Sequence, residues 1–207
     1  QLSSGQNGQL SIDTPTVEYF YDGYGLDTAP PTTNNYAKGK LTKVTSSISE
    51  TRYTTFDQFG RLLQSQQITD GRTFTSGYQY DFGGRLVEET YPSGRVVKNL
   101  FEADGDLLKV ESRKITADVF RTFVSNFSYT ASGGISQMRL GNGRWETAKF
   151  NNRQQVTELG LGTSAADTSL WKVAYGYGEL DDNGNVDKNK NTGNITKQTV
   201  SFNGLAQ

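Results

Sequence analysis

Apolar residues in this chain come in short aromatic and β-branched runs, each closed by a polar stretch that ends in glycine. The turn glycines stand at 60, 71, 84, 94 and 105, in steps of 11, 13, 10 and 11, and again at 133 and 143. That spacing predicts strand, turn, strand, turn from about residue 36 to residue 160. Residues 116–123 are the one stretch where a helix competes, and their β-branched side chains favour a strand.

The turns share a frame. Phe56-Asp57-Gln58-Phe59-Gly60-Arg61-Leu62 matches Tyr80-Asp81-Phe82-Gly83-Gly84-Arg85-Leu86 position by position. Phe101 to Leu107 keeps the aromatic, an acid at Glu102, Gly105 and the aliphatic, and Tyr129 to Ile135 keeps Gly133 with Thr130 in the acidic place. Looser copies run over residues 36–41, 150–156 and 189–195. An Asp followed three residues later by Gly suits a type I turn, in which the carboxylate accepts backbone amides and the glycine takes a positive φ. The flanking aromatic and aliphatic then sit on paired strands and contact each other. A second set of turns, Thr69-Asp70-Gly71-Arg72, Pro92-Ser93-Gly94-Arg95 and Gly141-Asn142-Gly143-Arg144, follows about ten residues after the first, and Asp-Gly and Asn-Gly are strong two-residue hairpin signals.

Aromatic-Asp-x-x-Gly-Arg-Leu, followed by Tyr91-Pro92-Ser93-Gly94-Arg95, resembles the YD repeat. That repeat belongs to RHS proteins, to shell-forming components of bacterial toxin complexes and to the extracellular part of teneurins. The resemblance covers roughly residues 36–200. It implies an all-β array of antiparallel hairpins in a curved, solenoid-like sheet, a section of a wall that encloses a C-terminal effector in a secreted or surface protein. The partners it implies are neighbouring repeats of a longer parent and an encapsulated effector. The runner-up is a carbohydrate or cell-surface binding module, since YD-rich regions of other members are associated with such binding. The chain is shorter than a shell requires and lacks the C-terminal self-cleavage motif of toxin members, so no protease residues carry over. Edge strands left by a cut spiral would also let the chain pair with itself.

Composition narrows the chemistry. Glycine contributes 23 residues and proline four, which suits many tight turns and excludes collagen. Aromatics make up 12% of the chain, so an aromatic-rich core with little aliphatic bulk is expected. A net charge of −1 offers no phosphate-binding surface and argues against nucleic acid. No apolar run is long enough to cross a membrane as a helix. The absence of an initiator Met and of a signal peptide points to a segment of a longer protein. With no His and no Cys the usual general bases, nucleophiles and soft metal ligands are missing, and no cofactor motif is present. An enzyme is not expected.

The domain reading is a polar N-terminal segment with a first strand and loop over residues 1–35, then the hairpin array over 36–207. Within the array, insertions are expected near 160–169 and 181–194. Asp57 and Asp81 read as turn caps. Arg61, Arg85, Arg72, Arg95 and Arg144 read as partners of strand aromatics or turn carboxylates. Asp181, Asn183, Asn185 and Asp187 faintly resemble a calcium loop but lack its terminal Glu, and a turn on Asn183-Gly184 accounts for them. Trp145 and Trp171 are candidates for stacking on a sugar, with burial between strands as the competing account. Asn126 and Asn194 head glycosylation-type triplets, a pattern common by chance.

Overall fold

Short β-rich runs closed by glycine turns become strands in the computed structural model, which describes residues 16–26 and 36–203, with the backbone alone of 3–4, 10–11 and 205–206. Of the polar segment, strand and loop expected over residues 1–35, all but residues 16–26 and the backbone of 3–4 and 10–11 lie outside the described residues. The chain divides into two compact units, residues 1–96 and 97–207.

In the first unit β1 (Ser3–Ser4) pairs with β2 (Leu10–Ser11). A separate antiparallel sheet follows in chain order: β3 (Glu18–Tyr21), β4 (Leu41–Thr45), β5 (Ser49–Phe56), β6 (Leu62–Thr69), β7 (Arg72–Tyr80) and β8 (Leu86–Thr90). The second unit begins with β9 (Val96–Phe101), whose first residue sits at the division. It continues with β10 (Leu107–Arg113), β11 (Arg121–Tyr129), β12 (Ile135–Leu140), β13 (Trp145–Phe150), β14 (Val156–Gly162) and β15 (Trp171–Gly176). The chain then leaves the sheet to form a small hairpin, β16 (Glu179–Leu180) with β17 (Val186–Asp187), and one 3-10 turn at Lys188–Lys190. It returns as β18 (Lys197–Phe202), which pairs with β15, and ends with β19 (Leu205–Ala206). The all-β hairpin architecture required by the glycine spacing is therefore present; of residues 116–123, read as strand, only 121–123 belong to one, and 116–120 form the bend between β10 and β11.

The described residues do not form an aromatic core. Among the described residues only Ala37, Phe56, Val96 and Val173 are buried hydrophobics, while Tyr19, Tyr24, Phe59 and Phe82 are exposed. Seven consecutive residues of β6 are half-buried, so neither of its faces is a core and neither is fully solvated. A sheet with one covered face would alternate buried and exposed positions. The aromatics instead lie along the sheet surface, where Phe127 stacks on Tyr129 of the same strand with ring centroids 6.2 Å apart.

Register explains the repeat frame. The aromatic before each turn is paired directly with the aliphatic after it: Phe56 with Leu62, Tyr80 with Leu86, Tyr129 with Ile135, Phe150 with Val156. A bulge falls next to the aromatic in all four hairpins. It follows from the turn type, a three-residue loop whose last residue, glycine in three of the four and Gln154 in the fourth, adopts the left-handed conformation. Gly60 N donates to the Asp57 carbonyl at 2.9 Å, Asp57 N donates to the Arg61 carbonyl at 2.9 Å, and Gly60 has φ +73°.

Three details differ from the sequence reading. Asn142-Gly143 belongs to the same three-residue loop, closed by Leu140 N to Arg144 O, whereas Asp70-Gly71, with φ of +51° and +70°, forms a two-residue turn. Residues 189–195 do not form a repeat turn, since the 3-10 turn occupies their start. The missed copy is Leu180 to Val186, where Asp181 and Gly184 hold the places of Asp57 and Gly60.

Glycines 160 and 162 lie in β14 and not in a loop. A Cβ on Gly162 would stand 1.9 Å from the Asp167 carbonyl oxygen, and one on Gly160 would stand 2.3 Å from a Thr168 methyl. These positions need glycine because the 163–170 connection folds back onto the strand.

Candidate functional site

The turn carboxylates are occupied by their own backbones. Asp57 Oδ1 accepts from Phe59 N and Arg61 N, both at 2.9 Å, and Oδ2 accepts from Arg61 Nε at 2.6 Å. Desolvation in the turn opposes ionisation there, but the Arg61 N–H, the guanidinium and the Phe59 N–H outweigh it and hold the Asp57 carboxyl below its ordinary value. Asp81 repeats the arrangement with Arg85 Nε at 2.7 Å and Arg85 N at 2.9 Å, and the Arg85 guanidinium is the main cause of its lowered pKa. Thr130 supplies only a hydroxyl, which accepts from Gly134 N at 3.0 Å. At the Glu102 turn the longer acid does not reach its own loop, and Asp104 takes the Asp106 N–H instead at 3.1 Å.

Arg61 links one turn to the next. Its Nη1 donates to the Asp81 carbonyl at 2.9 Å, and its guanidinium lies 5.0 Å from the Phe59 ring centroid and 4.9 Å from that of Tyr80. Around it Tyr36, Phe59, Tyr80 and Phe82 edge a shallow recess of about 450 Å³. In the second unit a tyrosine hydroxyl makes the corresponding link: Tyr129 donates to the Leu107 carbonyl at 3.0 Å and Tyr177 to the Val156 carbonyl at 2.8 Å.

The Asp181 loop is a turn of this same kind. Asp181 Oδ1 accepts from Asn185 N at 2.7 Å and Asn183 N at 2.9 Å, while Oδ2 accepts from Asn185 Nδ2 at 3.1 Å, so Asn185 stands in for the arginine. The Asn185 amide is the leading cause of the lowered Asp181 pKa. Both oxygens are committed, and among the described residues no group of three or more His, Cys, Asp or Glu side chains could hold a metal ion.

The excursion between β15 and β18 builds a recess, a groove of about 550 Å³. Its floor is Ala174, Gly176 and Thr199; Tyr177 and Val186 wall it; Arg153, Lys188 and Lys197 stand at its rim. Gly176 lets the small hairpin approach, since a Cβ there would meet a Val186 methyl at 2.6 Å. Three bonds fix the cover: Arg153 Nη1 to the Asn191 carbonyl at 2.8 Å, Asn191 Nδ2 to Gln155 Oε1 at 2.7 Å and Lys197 Nζ to the Gly184 carbonyl at 2.8 Å. No residue picked out in the sequence as ligand-contacting lies here. Trp145 and Trp171 are half-buried in β13 and β15, paired with Gly162 and Leu161, and neither lines the groove. The signal that could have found the groove is the frame Leu180-Asp181-x-x-Gly184, which marks a hairpin inside the apparent loop.

No protein-family model matches the chain, and no curated protein matches it. Solved structures do. A chain of the Photorhabdus luminescens Tc holotoxin pore aligns with 90% of this chain at a TM-score of 0.66 and 16% identity. A chain of the TcdB2–TccC3 crystal structure aligns with 83% at 0.64 and 16%, and one of TcdB2–TccC3 without its hypervariable C-terminal region aligns with 72% at 0.58 and 18%. The chain spans only 8–9% of the length of those chains. At such identities the likeness establishes the fold, an all-β array of antiparallel hairpins. Among the described residues no helix is long and apolar enough to cross a membrane.

Proposed function

We propose that this chain is a section of the wall of a YD-repeat, RHS-type protein, secreted or displayed at a surface, which encloses an effector carried by the same parent. Its role is architectural and no catalysis is assigned to it. One observation carries this: the recurring aspartates, the residues best placed to be chemical, spend both carboxylate oxygens on the N–H groups and the arginine or asparagine of their own turns. The resemblance of the repeat frame and the likeness to chains of Tc toxin structures support it, and so does the scarcity of buried side chains on either face.

Solution X-ray scattering with molar mass measured on the same sample tests the proposal. A self-contained globule of this length has a radius of gyration of roughly 17 Å. A wall section gives a clearly larger value, from an open curved particle or an edge-paired assembly. A monomer near the globular value would mean that the repeats close on themselves and would overturn the wall role.

A further inference from the structure

We infer that the groove beneath the β16–β17 hairpin is a binding site for a short acidic peptide segment, one that sets an apolar side chain on the floor and a carboxylate at the rim. The inference does not depend on the wall role.

Charge gives the first argument. Acidic and basic residues nearly balance over the chain, 22 against 21, yet the lining holds Arg153, Lys188 and Lys197 and no carboxylate. The acids of the covering hairpin, Glu179, Asp181, Asp182 and Asp187, do not line the recess; Glu179 pairs with Lys190 at 2.7 Å, Asp187 accepts the Asn189 N–H at 3.0 Å, and Asp181, which Lys197 helps to keep ionised, closes its own turn. Three cations around a recess attract an anion, and an apolar floor beside them raises the strength of each contact by lowering the local dielectric.

The second argument concerns what the lining can still bind. Asn151, Asn191 and Gln155 bond to one another or to local backbone, and the Tyr177 hydroxyl is donated to Val156. These groups brace the groove and do not read a ligand. The surfaces left for recognition are apolar at Ala174, Tyr177 and Val186, polar at Asn152 and Thr199, and cationic at the rim, where Lys188 is exposed while Arg153 and Lys197 each already donate one bond to a backbone carbonyl. An apolar group next to a carboxylate finds both an apolar and a cationic surface.

The third argument is topological. β15 is paired along both edges, with β14 and with β18, so its part of the floor, at Ala174, exposes no strand edge for an added strand. A segment lying here is read by its side chains. A volume of about 550 Å³ is that of a small-ligand site and takes a few residues.

Calorimetry on the full chain with three blocked tripeptides, acetyl-Asp-Phe-Asp-amide, acetyl-Asp-Gly-Asp-amide and acetyl-Lys-Phe-Lys-amide, tests the inference. The first should bind one to one and weaken about tenfold with Lys188→Glu, an exposed position whose substitution leaves the fold intact, and also weaken at high salt. The other two should bind at least about tenfold more weakly than the first. Backbone amide shifts of Ala174, Val186 and Lys197 on titration should place the peptide in the groove. Equal binding of the glycine peptide or displacement by inorganic phosphate would show a bare anion patch and overturn the inference. So would absence of binding at millimolar peptide, indifference to Lys188→Glu, or shifts confined to residues elsewhere.

Discussion

Replacing Gly162 with Ala tests the idea that glycines inside β14 exist for close approach. The added methyl would stand 1.9 Å from the Asp167 carbonyl oxygen, 2.4 Å from its carbon and 2.7 Å from its side-chain Cγ. Ordinary C···O contact needs about 3.3 Å, so the connection must retreat by about 1.4 Å. The atoms in the way are backbone, and no rotamer change removes them. Asp167 also ties the connection together, accepting from Thr163 N at 2.7 Å, Thr163 Oγ1 at 2.8 Å and Ser169 N at 2.8 Å. Overpacking of a rigid contact costs about 1–3 kcal/mol, and the upper end applies because those bonds must stretch with the backbone. The control is Gly77→Ala in β7, where the nearest atom would lie at an ordinary 3.7 Å and φ is not positive. There the loss of glycine's unfolded-state freedom should stabilise by about 0.5 kcal/mol. Urea unfolding followed by tryptophan emission is a suitable assay, because Trp145 is the strand partner of Gly162 and Trp171 that of Leu161. If Gly162→Ala matched the parent within about 0.5 kcal/mol, with unchanged emission, the close-approach account would be refuted.

Acid should weaken the fold through the aspartates at 57, 81, 167 and 181. Each has a folded-state pKa below its ordinary value, Asp167 chiefly through the Thr163 N–H, so their contribution is present above about pH 4 and lost as pH falls toward the folded values. Asparagine at all four positions should flatten the acid limb of a urea-midpoint profile, and an unchanged limb would contradict it. Gln154 holds the glycine place of its turn at φ +62°, a conformation that costs a side chain about 1 kcal/mol. Gln154→Gly should therefore raise thermal stability by about that amount even though Gln154 accepts a bond from Ser132 Oγ. A double-mutant cycle between Arg61 and Tyr80 should return a coupling of about 0.5–1 kcal/mol for the cation over the ring; zero coupling would reduce their 4.9 Å approach to mere proximity.

The turn frame was legible because its chemistry is local. Asp57, Gly60 and Arg61 lie within five residues and satisfy one another, so their types alone dictate the loop. The copy at Leu180–Val186 escaped notice because an aliphatic replaces the aromatic and Asn185 replaces the arginine, although the geometry tolerates both. Glycines 160 and 162 were read as loop because a glycine demanded by a neighbour's approach looks, in sequence, like one demanded by its own φ. The groove could not be foreseen. Arg153, Tyr177, Lys188 and Lys197 meet only through the pairing of β15 with β18 across the intervening excursion. The expected aromatic core does not form because abundance of rings does not imply burial: Phe59 and Phe82 sit at turn tips in solvent.

Almost every strand described here pairs with the strand next to it in the chain, and the pairing of β15 with β18 is the departure. That pattern governs the time order of folding. A two-residue turn closes with the least loss of chain entropy, so the β6–β7 hairpin, joined at Asp70-Gly71 and paired over six positions without a bulge, should be the first of its unit to gain protection in pulsed hydrogen exchange. In the second unit β18 must wait for the twenty residues from 177 to 196 to be brought round, and its amides should be the last of that sheet to gain protection in pulsed hydrogen exchange. The groove, whose Lys197 rides on β18, thus comes into being at the end of folding, so a partner that binds there meets only chains that have finished.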